Sequence, residues 1–187
     1  MAENPDNHQH APSDHPPGGH AIIVGFGLSG RATANALIDK GIPLYVIERN
    51  PETVRRCSIA GLRIVEGDAT DEAVLRLAGI ETAVLFAATM PSEHAVMEMV
   101  GIARRLNPTV KIIARCEYVS TGMKLTRRGA DEVVIGEQVI AEEFSKLVEA
   151  GGVSRDGEPA APSPPPTTST PQPQPPRQVE VQPTGPD

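Results

Sequence analysis

Six short apolar runs alternate with longer amphipathic stretches between residues 21 and 149 of a 187-residue chain. The runs are AIIVG (21–25), PLYVIE (43–48), LRIVE (62–66), TAVLF (82–86), VKIIA (110–114) and EVVI (132–135). Their β-branched, nearly continuous apolar character suits strands of a parallel sheet covered on both faces. The stretches near 28–40, 51–60, 71–78, 91–106, 118–128 and 137–149 have helical spacing. Pro51 and Pro91 stand where the first turn of a helix tolerates proline, and Gly41, Gly61, Gly79 and Gly129 follow helical stretches as caps do. Six such βα units predict an α/β domain: a doubly wound parallel (Rossmann) sheet, of order 3-2-1-4-5-6 through right-handed crossovers.

Proline marks the limits of this block. Of 19 prolines, four lie in residues 1–20, four in 21–150 and eleven in 151–187. The expected organisation is a disordered tail over 1–19, a single domain over 20–149 and a Pro-rich disordered tail over 150–187. His8, His10, His15 and His20 fall in the N-terminal stretch, where their spacing matches no closed metal site and a solvated arm is expected. With five Phe and Tyr and no Trp, the core must be aliphatic. Cys57 and Cys116 form no CxxC pair and read as small buried side chains. The net charge of −7 spreads over all three parts. No dense cationic face for nucleic acid is expected. No run approaches the ~20 apolar residues of a membrane span, and no secretory leader is read.

The first βα junction carries the chemistry. Gly25-Phe26-Gly27-Leu28-Ser29-Gly30 is a GxGxxG loop between a strand and a helix, and Glu48 ends the next strand 18 residues after Gly30. Gly25 allows the tight turn, Gly27 lets backbone approach a pyrophosphate, and Gly30 lets the helix pack on the strand. The free N–H groups at 28–30 face the phosphates. Glu48 can accept from both ribose hydroxyls, which favours NAD(H), ADP or ATP over NADP(H), although Arg49 beside it could meet a 2′-phosphate.

Three further junctions reach the same sheet edge. Gly67-Asp68-Ala69-Thr70-Asp71 reads as a turn with Thr70 as N-cap, which leaves Asp68 unexplained. Ala87, Ala88 and Thr89 are small residues beside the glycine loop, and Arg115 follows the fifth strand in position to contact phosphate. No catalytic residue is assigned: His94 reads as a surface histidine, and YxxxK, HExxH and GxSxG patterns are absent.

Together these residues resemble the nucleotide-binding N-lobe of the RCK/KTN (TrkA-N) family, the cytosolic regulatory domains of potassium channels and transporters. The resemblance covers about residues 20–149. It rests on GFGLSG, VIER, GDATD at 67–71, AAT at 87–89, IAR at 113–115 and GADEVVIGEQVIAEEF at 129–144. It implies a sensor of NAD(H), or of ATP/ADP, rather than an enzyme. The glycine loop would hold phosphates, Glu48 the ribose, and Asp68, Ala69 and Thr70 the adenine side, with Thr89 and Arg115 near the phosphates. It also implies a homodimer through the helix at 137–149, whose Val139, Ile140, Phe144, Leu147 and Val148 form an apolar stripe. The implied setting is cytoplasmic, beside a membrane potassium channel or cation transporter. Two departures stand out: the sequence turns Pro-rich where the family continues into a second lobe, and Ser92-Glu93-His94 replaces an acidic-acidic-Asn run. A small NAD-dependent oxidoreductase and a nucleotide-binding protein with an unrelated partner remain alternatives.

Overall fold

In the computed structural model, residues 19–151 are described. Strands β1 (Ala21–Val24), β2 (Leu44–Glu48), β3 (Arg63–Glu66), β4 (Leu85–Ala88), β5 (Lys111–Cys116) and β6 (Glu132–Ile135) form one sheet. Its order is β3-β2-β1-β4-β5-β6, with every pairing parallel. Helices α1 (Leu28–Asp39), α2 (Pro51–Ile59), α3 (Glu72–Leu77), α4 (Glu93–Leu106), α5 (Val119–Arg128) and α6 (Gly136–Ala150) follow the strands in turn. The predicted doubly wound order is therefore the one observed. One compact unit ends at Lys146; of the next unit only Leu147–Gly151 is described.

Strand β1 shows why the sheet needs apolar residues in unbroken runs. Ile22 and Val24 join a cluster with Phe86, Ile112, Leu75 and Met99, while Ala21 and Ile23 pack with Val46, Ala34 and Leu37 on the other face. All four residues of β1 are buried. Cys57 and Cys116 are both buried and free, and burial pushes both thiols up.

Three local expectations change. The fourth strand does not span 82–86 but starts three residues later. Gly79 takes a left-handed φ of 75°, Ile80–Thr82 make a 3-10 turn, and β4 starts at Leu85. The Asn107 amide holds this turn, donating to the Ile80 and Ala83 carbonyls at 2.8 and 3.0 Å. Second, α4 begins after Pro91, with Ser92 as N-cap, and α3 is capped by Asp71 rather than Thr70. Third, His20 is no part of a solvated arm. It is fully buried, its Nε2 lies 2.8 Å from the Ala78 carbonyl, and its ring meets Tyr45 edge-on at 5.0 Å. The expectations for residues 1–18 and 152–187, including His8, His10 and His15, lie outside the described residues.

Candidate functional site

The carboxyl ends of β1 to β5 meet around the glycine loop. Gly25 turns with φ 85°, a conformation that a side chain would strain, and its N–H donates to the Ile47 carbonyl at 2.9 Å. Gly30 is buried where α1 presses on the loop: a Cβ there would lie 2.1 Å from the Gly25 carbonyl oxygen. Gly27 is the opposite case. A Cβ there would meet nothing within 4 Å, although Gly27 lines the cavity. No protein contact demands glycine at that position; the open space beside it is what a ligand would use.

Glu48 ties the loop to β2. Its Oε2 accepts from the Phe26 N–H at 3.0 Å, and its Oε1 accepts from the Arg49 and Asn50 N–H groups at 2.8 and 2.9 Å. A carboxylate offers about four acceptor positions. Three main-chain N–H groups thus occupy most of the Glu48 carboxylate's acceptor positions.

Asp68, unexplained in sequence, accepts from the Thr70 N–H and hydroxyl at 3.0 and 2.8 Å and pairs with Arg49 at 3.2 Å. Thr70 thus braces Asp68 instead of capping α3. Across the loop, Thr89 donates to the Val24 and Gly25 carbonyls at 2.9 and 3.0 Å, which clamps β1 to the end of β4. Arg115 lies 3.7 Å from Glu117.

These elements surround a cavity of about 780 Å³. Of the residues expected at the site, Gly25, Phe26, Gly27, Leu28, Ser29, Glu48, Arg49, Asp68, Ala69, Thr89 and Arg115 line it. Gly30, Thr70 and Ala88 are outside its lining. Gly30 is on the buried face of α1, Thr70 faces Asp68, and Ala88 is a buried β4 residue paired with Val24. The β4 shift leaves only Thr89 of the AAT group at the junction. The lining also includes Met90, Glu117, Gly136, Val139 and Ile140, which were not assigned to it. Gly136 opens α6 directly after β6, so strand order and element ends could have pointed to it.

Glu93 braces the far rim. Its carboxylate accepts from the Glu117 N–H at 2.9 Å and the Thr121 hydroxyl at 2.8 Å, so the first turn of α4 holds the approach to α5. His94 is exposed on α4. Three carboxyls are held below their ordinary range, each chiefly by a backbone N–H: Asp68 by Thr70, Glu93 by Glu117 and Asp131 by Ile112. Depressed folded values contribute stability above the unfolded pKa, and this is lost as pH falls through the folded values. The urea midpoint should therefore hold steady down to about pH 5 and fall below about pH 4. Asp131→Asn should flatten that fall; an unchanged acid slope would assign the effect elsewhere.

The sequence model of the TrkA-N domain family matches residues 21–136. The chain belongs to the TrkA-N domain family. Its TrkA-N region is 38% identical over 130 residues to YbaL of Escherichia coli, a candidate cation/proton antiporter, covering 70% of this chain and 23% of YbaL. The crystal structure of the YbaL TrkA-N domain superposes with TM-score 0.67 at 37% identity, covering 69% of this chain and 96% of that one. A Trk system potassium uptake protein TrkA homolog from Pyrococcus abyssi is 32% identical over 143 residues, 73% of this chain and 63% of the relative. The chain thus spans less than two thirds of either full-length relative. GsuK bound to ADP shares the TrkA-N fold with TM-score 0.66 at 20% identity, covering 75% of this chain and 36% of that one. The GsuK channel bound to NAD shares it with TM-score 0.58 at 23% identity, covering 67% and 23%. Among the described residues no helix is long and apolar enough to cross a membrane.

Proposed function

We propose that residues 20–149 form a nucleotide-binding regulatory domain for potassium or cation transport, taking NAD(H) or an adenine nucleotide. The observation that carries this reading is the open space beside Gly27, in a loop whose Phe26 N–H is held by Glu48. Backbone donors, a ribose acceptor and a vacant approach then lie along one cavity wall. The relatives' names support the transport setting, with TrkA a potassium uptake protein and YbaL a candidate antiporter. In this reading the domain senses its ligand without turning it over. It works at the cytoplasmic side of a membrane, beside a channel or transporter.

Homodimer formation belongs to the same proposal. Val139, Ile140 and Phe144 on α6 are exposed, Phe144 by 67%. Leu147 and Val148, in the following unit, are exposed as well. An amphipathic helix with its apolar side in water calls for a partner. Phe144→Asp should convert a dimer to a monomer in sedimentation equilibrium; an unchanged mass would remove α6 from the interface.

Gly27→Ala tests the site without disturbing the fold. Its stability should stay within about 0.5 kcal/mol of wild type, because the added methyl meets no protein atom. Affinity for NAD and ADP should fall about tenfold or more by calorimetry, a loss of about 1.4 kcal/mol. Unaltered affinity for every nucleotide would end the site assignment. NADP(H) should also bind about tenfold weaker than NAD(H), since a 2′-phosphate would meet Glu48 while Arg49 is engaged by Asp68. Tighter NADP(H) binding would reverse that preference.

A further inference from the structure

Charges in the cavity wall come largely as neutralised pairs. Gly25–Gly30 contains no charged side chain, and Leu28 stands 82% exposed at the start of α1. Arg49 and Arg115 are the cations lining the cavity. Arg49 is 3.2 Å from Asp68 and Arg115 is 3.7 Å from Glu117. With Glu48, the lining carries three carboxylates against two guanidiniums. Asp68 stays ionised well below neutral pH, because Thr70 donates twice to it. What remains for an anion is main-chain potential: loop N–H groups and the N-terminus of α1, equivalent to about half a positive charge. A single phosphate or a pyrophosphate can be met by those donors. A third phosphate adds negative charge where each nearby cation already has a carboxylate. Size does not exclude it, because about 780 Å³ is ample for a drug-sized ligand or larger.

We infer that the cavity selects ligands with one or two phosphates and discriminates against nucleoside triphosphates by charge, with Glu117 as a specificity-determining residue. The inference rests on the nucleotide-binding reading above and narrows it. Glu117→Gln keeps the side chain's size, removes the charge beside Arg115 and leaves that guanidinium for a phosphate. Asp68→Asn does the same for Arg49 on the opposite side.

The test is calorimetry of the full chain with AMP, ADP, NAD and ATP, without divalent cations and at fixed ionic strength. ATP should bind about fivefold weaker than ADP, the size of one partly screened charge contact. Glu117→Gln should strengthen ATP about fivefold more than it strengthens NAD, and Asp68→Asn should act in the same direction. Thermal melts of both variants check that they fold. ATP binding as tightly as ADP would overturn the inference and leave nucleotide binding intact. An ATP deficit unchanged in two folded variants would also overturn it, since shape rather than charge would then discriminate. Binding of none of the four nucleotides would overturn the nucleotide reading and this inference with it.

Discussion

Gly30→Val should destabilise the domain by about 3 kcal/mol or more and remove nucleotide binding with it. A Cβ at Gly30 would sit 2.1 Å from the Gly25 carbonyl oxygen, 3.1 Å from the Gly25 carbonyl carbon and 3.0 Å from the Thr89 hydroxyl. The first two are main-chain atoms and cannot swing aside. Relief requires α1 to lift from the loop or the loop to lift from the sheet. Either movement disturbs the Gly25 N–H bond to Ile47 and the Thr89 hydroxyl bonds to Val24 and Gly25. Gly30→Ala should lose less, because the γ-methyls of valine add their own collisions. Urea denaturation of wild type, Gly30→Ala and Gly30→Val measures the series. A valine variant as stable as wild type would show that α1 does not pack as described. The contrast with Gly27→Ala is informative, since two glycines of one motif should fail for different reasons. Gly30 serves helix packing, and in the proposed reading Gly27 serves the ligand's approach.

Asn107→Ala should cost about 3–5 kcal/mol. Asn107 is buried at the end of α4, where its amide N–H₂ donates to the Ile80 and Ala83 carbonyls. Its amide oxygen accepts from the Thr109 and Val110 N–H groups and from the Thr109 hydroxyl, each at 3.0 Å. Alanine would leave several main-chain groups without partners inside the protein, at about 1–3 kcal/mol for each one that water cannot reach. Asn107→Asp keeps the accepted bonds but turns a carboxylate toward two carbonyl oxygens, so it should also be strongly destabilised. Thr109→Ala removes one hydroxyl contact and should cost about 1 kcal/mol. A loss below about 1 kcal/mol in Asn107→Ala, measured by the urea midpoint, would mean that water replaces the amide.

Asn107 also shows where local sequence ceases to inform. Its partners lie 24 and 27 residues earlier in the chain. In sequence, an Asn before a Pro at the end of a helical stretch reads as a simple stop signal. Nothing local indicates that it also holds the turn which delays β4 to Leu85. TAVLF has strand character, so the strand was expected at 82–86, and Ala88 was expected at the site as a consequence. The errors at Thr70 and Pro91 are of another kind. Each helix starts within two residues of its expected position, with a neighbouring Asp71 or Ser92 as the cap. Several side chains of similar chemistry stood side by side, and only the path of the backbone selects among them.

The sheet order and the position of the glycine loop were determined by sequence alone. Period, punctuation and the handedness of βα crossovers leave few arrangements open, and these are largely local properties of the chain. The choice of Glu48 as the acidic residue at the end of β2 was legible for the same reason. How the charges balance was decided only by the tertiary structure. Arg49 and Asp68 are 19 residues apart and become a pair because β2 and β3 are adjacent, with Glu48 opposite Glu66. Glu93 and Thr121 are 28 residues apart and meet because α4 and α5 pack side by side. Electrostatic and hydrogen-bond partners are set by distances of a few ångströms between segments remote in sequence. A motif can therefore mark the place where a ligand belongs, while the cavity's preference among ligands depends on which neighbours the fold brings to it.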